Sequence, residues 1–192
     1  MRLIRSLTLL LSLLVLQLSS VARADDLYQV EMILIRQNAV PSFNTQPAPE
    51  NWAAGAPRLA AQDERRTSLD DIANKLAASS DYSVLLHKAW QQALGSEPST
   101  IAISSGQEQF GQHPIEGTLG LALGRFTDVD AQFWVNQFDG NGMIVASERL
   151  KQSSRTKNGE LNFIDNGHLA LLLKVTPLNA PPKTAAPLGL PD

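Results

Sequence analysis

The chain has 192 residues, with 16 Lys and Arg against 19 Asp and Glu for a formal charge of −3, and it contains no cysteine. Without cysteine there are no disulfide staples, no thiol catalysis and no cysteine-ligated zinc, so the fold must rest on its apolar core. The acidic balance argues against nucleic acid as a ligand, because neutralising phosphates takes a basic footprint.

At the N-terminus, Arg2 and Arg5 precede an apolar run from Leu7 to Leu18, and Ala22-Arg23-Ala24 supplies the small-residue pattern a signal peptidase accepts. The run is shorter than the ~20 apolar residues of a membrane-spanning helix. A retained anchor is the competing reading, but the acidic pair Asp25-Asp26 suits cleavage better. Residues 1–24 are therefore expected to be a signal peptide that delivers a soluble chain to the periplasm, without stable membrane insertion after cleavage. Removing them takes away Arg2, Arg5 and Arg23 and no acid, which leaves 168 residues and moves the charge from −3 to −6. That length suits one domain, expected over residues 25–177.

Residues 27–36 read as a strand, with Tyr28, Val30, Met32 and Leu34 on one face and Ile33 and Ile35 making the far end apolar on both. Residues 38–67 hold Pro41, Pro47, Pro49 and Pro57 and predict a long irregular loop, tucked onto the core by Trp52. Ser68 then stands as an N-cap before Leu69, Ile72, Ala73 and Leu76 at helical spacing, with Asp70 and Asp71 complementing the helix dipole. A strand is expected over 82–90, with Tyr82, Val84, Leu86 and Trp90 on one face; a helical continuation through Gln92 is the alternative.

Short strands follow at 100–104, around 115–123, and over 129–135. Asp139-Gly140-Asn141-Gly142 has the composition of a hairpin turn leading into 143–150. A last strand over 169–175 is apolar on much of both faces, which suits a central position. Residues 178–192 are proline-rich and predict a disordered tail. The expected architecture is α+β: a mainly antiparallel sheet with at least one helix packed on a face.

Catalytic motifs are missing: the chain has no HExxH, no GxSxG and no phosphate-cradling glycine loop. His87, His113 and His168 share no metal-ligand spacing. Leu150 stands at the twelfth position of a calcium loop starting at Asp139, where the bidentate glutamate is needed, so 139–142 reads as a turn. Ser154-Arg155-Thr156-Lys157 fits S-x-x-K, but it lies in a polar stretch, 153–159, that reads as a loop and lacks the companion motifs. No enzyme activity, metal or cofactor is expected.

Several blocks resemble the CsiV family of periplasmic peptidoglycan-binding proteins. They are Tyr28–Gln37, the isolated Trp52, Asp81–Gln91, Ile115-Glu-Gly-Thr-Leu-Gly-Leu, and Gly159-Glu-Leu-Asn-Phe with Leu173-Lys-Val-Thr-Pro177, in the family's order across nearly the whole chain. The resemblance implies a non-enzymatic role in cell-wall assembly and cell shape, with peptidoglycan as ligand. A different reading is an envelope adaptor that contacts a cell-wall synthase or an associated lipoprotein without binding glycan.

Strand alternation sets Glu116, Thr118 and Gly120 on the polar face of their strand, and Asp130, Gln132, Trp134 and Asn136 on that of the next, so Trp134 is a candidate sugar platform. The alternative is that the helix or the Trp52 loop covers that face. Arg149, Lys151, Arg155 and Lys157 form the densest basic cluster, suited to peptide-stem carboxylates or to a solvated edge strand.

Overall fold

The computed structural model describes residues 26–42 and 46–178. The signal peptide and the tail expected above lie outside these residues, apart from Leu178. Among the described residues, nine strands form two antiparallel sheets. The first sheet has the order β2-β3-β1-β9-β8, from β1 (Asp26–Gln37), β2 (Glu64–Arg65), β3 (Tyr82–Leu94), β8 (Leu161–Asp165) and β9 (Leu169–Pro177). The second has the order β4-β5-β6-β7, from β4 (Ser99–Ser105), β5 (Ile115–Leu123), β6 (Thr127–Phe138) and β7 (Ile144–Thr156). The one α-helix among the described residues is α1 (Asp70–Ala77). The molecule is therefore mainly β, a correction to the α+β expectation. The helix does pack on a sheet face as expected, but most of the core lies between two sheets.

That core follows from alternation along the strands. Val30, Met32 and Leu34 of β1, Trp90 and Leu94 of β3, and Leu171, Leu173 and Val175 of β9 point inward from the first sheet. Leu119, Leu121, Val129, Ala131 and Phe133 meet them from the second. On the first sheet's outer face, Ile33, Ile35, Ala170 and Leu172 receive Leu69 and Ala73 of the helix segment. β9 is thus apolar on both faces because each is covered, and it sits between β1 and β8 as its composition suggested.

β3 departs from simple alternation. Its register with β1 passes from Leu34↔Leu86 to Ile35↔Val84, leaving Leu85 as an extra residue. A bulge of this kind reverses the faces beyond it. Tyr82 and Val84 consequently pack toward α1, while Leu86 and Trp90 enter the inter-sheet core. The four residues expected on one face are split between two.

The helix cap also differs from expectation. Ser68 does not cap α1; the N-cap position is Leu69, with no side-chain bond. The orphan amides are met instead by Glu31 of β1, whose Oε1 accepts the backbone N–H of Ser68 at 2.8 Å and of Leu69 at 2.8 Å. Its Oε2 accepts the Ser68 hydroxyl at 2.5 Å, and His87 Nε2 lies 2.8 Å from Oε1.

Residues 46–63 are irregular apart from a 3-10 turn, Ala61–Asp63, and Trp52 is tucked in with 3% exposure. The 139–142 turn forms as composition suggested, with Asp139 Oδ1 accepting the N–H groups of Asn141 and Met143, both at 2.9 Å. β7 continues to Thr156, so the stretch expected to begin a loop at Ser153 is strand for its first four residues. β8, only five residues long, carried no strand signal of its own.

Gly117 of β5 lets two strands approach closely. A Cβ there would lie 2.2 Å from the carbonyl oxygen of Gln132 and 2.5 Å from Cδ1 of Phe133. Gly117→Ala is expected to cost about 1–3 kcal/mol through overpacking, read as a lower urea midpoint at unchanged m-value. An unchanged midpoint would show that the sheet yields there at no cost.

Candidate ligand-binding site

The outer face of the second sheet collects nearly all the residues that the sequence singled out. Its cross-strand rows are Ser104–Glu116–Trp134–Arg149, then Ala102–Thr118–Gln132–Lys151, then Thr100–Gly120–Asp130–Ser153, and last Ala122–Asp128–Arg155. Glu116, Gln132, Trp134, Arg149, Lys151 and Arg155 therefore share one surface because their strands are in register. Lys157 lies just beyond β7 and pairs with Glu160 at 3.6 Å.

Half of this face is covered. Trp134 is 2% exposed and packs with Ala48, Trp52 and Ala102, beneath the proline-rich segment that reaches over from β1. Arg149 holds its guanidinium 5.3 Å from the Trp134 ring centroid and donates to Gln46 Oε1 at 2.7 Å. Arg58 stacks in the same way 5.0 Å from the Trp52 ring, and Trp52 meets His113 edge-on with centroids 6.1 Å apart.

Glu116 has no exposed surface; it accepts the His113 N–H at 2.8 Å and the Asn136 amide at 2.7 Å. Burial pushes its carboxyl above the usual range, against the lowering effect of those two hydrogen bonds and of the nearby His113 and Arg58 charges. Trp134 and Glu116 are thus packing residues here rather than an open sugar platform, and the covering segment is the physical reason. Gln132 and Lys151 occupy the boundary row.

The other half is open. A groove of about 570 Å³ runs across the last two rows. Gly120 and Ala122 keep its floor low: a Cβ on Gly120 would already approach Thr100 Oγ1 to 3.0 Å. Pro98 and Thr100 stand on the β4 side of that floor, and Asp128 and Asp130 of β6 on the other, with Ser153 and Arg155 of β7 beyond them. Arg155 Nε donates to Asp128 Oδ1 at 2.7 Å, and the Ser153 hydroxyl to Asp130 Oδ1 at 3.1 Å.

Of the candidate ligand-binding residues only Arg155 lines the groove, together with Gly120 and Asp130 of the polar face; Thr100, Asp128 and Ser153 were not singled out. The available signal was the run of small or polar residues at 118, 120 and 122 facing 128, 130 and 132. It becomes a groove only when the register sets those residues side by side.

Ser154 and Lys157 of the S-x-x-K pattern stand about 10 Å apart along an extended chain, not one helical turn apart. Among the described residues no cluster of His, Asp and Glu has the makings of a metal site, and no helix is long and apolar enough to cross a membrane.

The fold and the groove define a class: a two-sheet antiparallel β protein that offers polar and charged side chains on one open sheet face. A family model, described as "Peptidoglycan-binding protein, CsiV", matches residues 53–178, more than half of the chain. The chain belongs to the CsiV family. No curated protein and no solved structure matches it.

Proposed function

We propose that this protein binds peptidoglycan in the periplasm without hydrolysing it, through the open half of the second sheet's outer face, and so assists wall assembly and cell shape. The observation that carries the reading is the groove of Thr100, Asp128, Asp130, Ser153 and Arg155 in a chain of the CsiV family. Gln132 and Lys151 extend its polar edge, and peptidoglycan-binding family membership sets the cell envelope as its place. Residues 1–24 act as the cleaved signal peptide, 25–177 form the working domain, and 178–192 follow as a tail. Each site is weak, and the many adjacent sites of a wall polymer raise the effective affinity.

The test is co-sedimentation of purified protein with isolated sacculi, using Ala122→Phe to fill the groove. The native protein is expected in the pellet and the variant mostly in the supernatant, with unchanged circular dichroism. Pelleting should fall as salt rises, because exposed charges are screened over about 10 Å at 0.1 M ionic strength. Equal pelleting of the variant would remove the groove from the site.

The adaptor reading is favoured by a separate feature at the opposite end of the second sheet. Phe110, Met143 and Val145 are 82%, 59% and 64% exposed around two chain turns, the kind of apolar surface that marks contact with another protein. Failure to pellet with sacculi, combined with co-purification of a synthase or its lipoprotein, would select that reading.

A further inference from the structure

We propose that the groove recognises the free amino-acid end of an uncross-linked peptide stem, taking its ammonium on Asp130 and its carboxylate on Arg155. This rests on the peptidoglycan reading above and specifies which part of the polymer the groove reads.

The groove carries two carboxylates and one guanidinium, and they are not equivalent. Arg155 uses Nε on Asp128 Oδ1, so Asp128 orients the guanidinium and leaves its two terminal nitrogens without a partner among the described residues. That is the edge of an arginine that meets a carboxylate with two parallel bonds. Among the described residues Asp130 receives one hydrogen bond, from the Ser153 hydroxyl, on Oδ1, and its second oxygen has none. With Asp128 committed to Arg155, Asp130 is the carboxylate of the groove that forms no ion pair among the described residues, with Lys151 as its other diagonal neighbour on β7, and Thr100 adds a hydroxyl from β4.

The spacing selects the ligand further. Asp130 is opposite Ser153, and Arg155 lies two residues along β7, so Asp130 and Arg155 are diagonal neighbours on one face. The backbone positions of such neighbours stand about 7–8 Å apart, and both side chains leave on the same face. An ammonium and a carboxylate on a single carbon can meet two side chains rooted that far apart with one hydrogen bond at each end. A lone carboxylate engages only Arg155, and an uncharged sugar hydroxyl leaves Asp130 without an ion pair.

The chemistry of the wall supplies one group of this kind. The amines of its sugars are acetylated and uncharged. A stem built on a diaminopimelate-type residue ends that side chain in an amine and a carboxylate on the same carbon. Cross-linking turns the amine into an amide and removes its charge. The groove is thereby matched to stems still open to cross-linking, and the low floor at Gly120 and Ala122 admits a chain end lying across β5.

The experiment titrates purified protein with a soluble disaccharide-tripeptide carrying the free side-chain amine, and with the same compound acetylated there. Acetylation is expected to weaken binding at least fivefold. Asp130→Asn, an exposed and conservative change, should bind both compounds equally at the weaker level. Arg155→Gln should weaken both compounds while keeping the preference for the free amine. The free diamino acid is titrated separately because it bears the same two charges; binding as tight as the tripeptide's would overturn the assignment to the wall polymer. Equal binding of free and acetylated compounds by a protein that still pellets with sacculi overturns this inference and leaves the peptidoglycan reading standing. Failure to pellet at all overturns both.

Discussion

Trp134→Ala is expected to lower folding stability by roughly 3–5 kcal/mol, the range for emptying a large buried aromatic site. The ring is 2% exposed and is held by Trp52, Ala48 and Ala102, with the Arg149 guanidinium over its face. Its removal leaves a void between the sheet and the covering segment and deprives Arg149 of the ring it stacks on. Urea unfolding should show a markedly lower midpoint. At temperatures where the variant remains folded, pelleting with sacculi should be close to native, because Trp134 does not line the groove. The opposite pattern, native stability with lost binding, would restore Trp134 as a sugar platform and mean that the covering segment does not stay in place.

A second large effect is expected at Glu31. Glu31→Ala removes the acceptor for two backbone N–H groups, the Ser68 hydroxyl and His87, in a position only 2% exposed. An unpartnered buried donor costs about 1–3 kcal/mol; Leu69 is buried and loses its partner, while the exposed Ser68 turns to water, so the total should stay within about 3 kcal/mol. The start of α1 should loosen first, giving faster amide exchange at Leu69 and Ile72 than in the native protein. Exchange unchanged at those positions would show that another group caps the helix.

The same residue gives an acid dependence. Burial raises the Glu31 carboxyl, but the Ser68 hydroxyl, His87 and the Leu69 and Ser68 amides together outweigh it and hold the group below its usual 4.5. A group lowered on folding contributes stability that is complete above the unfolded value and is lost as pH falls through the folded one. The native urea midpoint should therefore drop from about pH 4.5 downward, and the drop should be shallower in Glu31→Ala. Glu116 acts with the opposite sign. Raised by burial, its charged form costs stability near neutrality, and protonation relieves that cost as pH falls.

Much of this architecture was legible in the chain. Apolar residues at every second position in β1, β5, β6 and β9 mark core-facing sides, because alternate side chains of a strand leave on opposite faces. Asp139–Gly142 announced its turn by composition, and Trp52 announced a loop folded onto the core. The polar face that became the candidate site could be read from the same alternation, which set Gln132 and Trp134 on the side opposite Phe133.

Local pattern does not carry the relation between segments distant in sequence. The bulge at Leu85, which reverses the faces of β3, exists only against its partner β1. Glu31 caps a helix whose N-cap residue lies 38 residues further on, so Ser68 looked like the cap until the two were seen together. Two sheets rather than one follow from which strands pair, and pairing depends on long-range burial rather than on any strand's own residues.

The division of the site into two halves has the same origin. By itself the sequence determined that a polar, partly basic strand face exists and that a proline-rich loop carries a tryptophan. Only the tertiary structure decided that this loop lies over Trp134 and Glu116 and leaves Asp128, Asp130, Ser153 and Arg155 open. The reason is physical: alternation sets which way each side chain points, but exposure depends on what the rest of the chain lays over it.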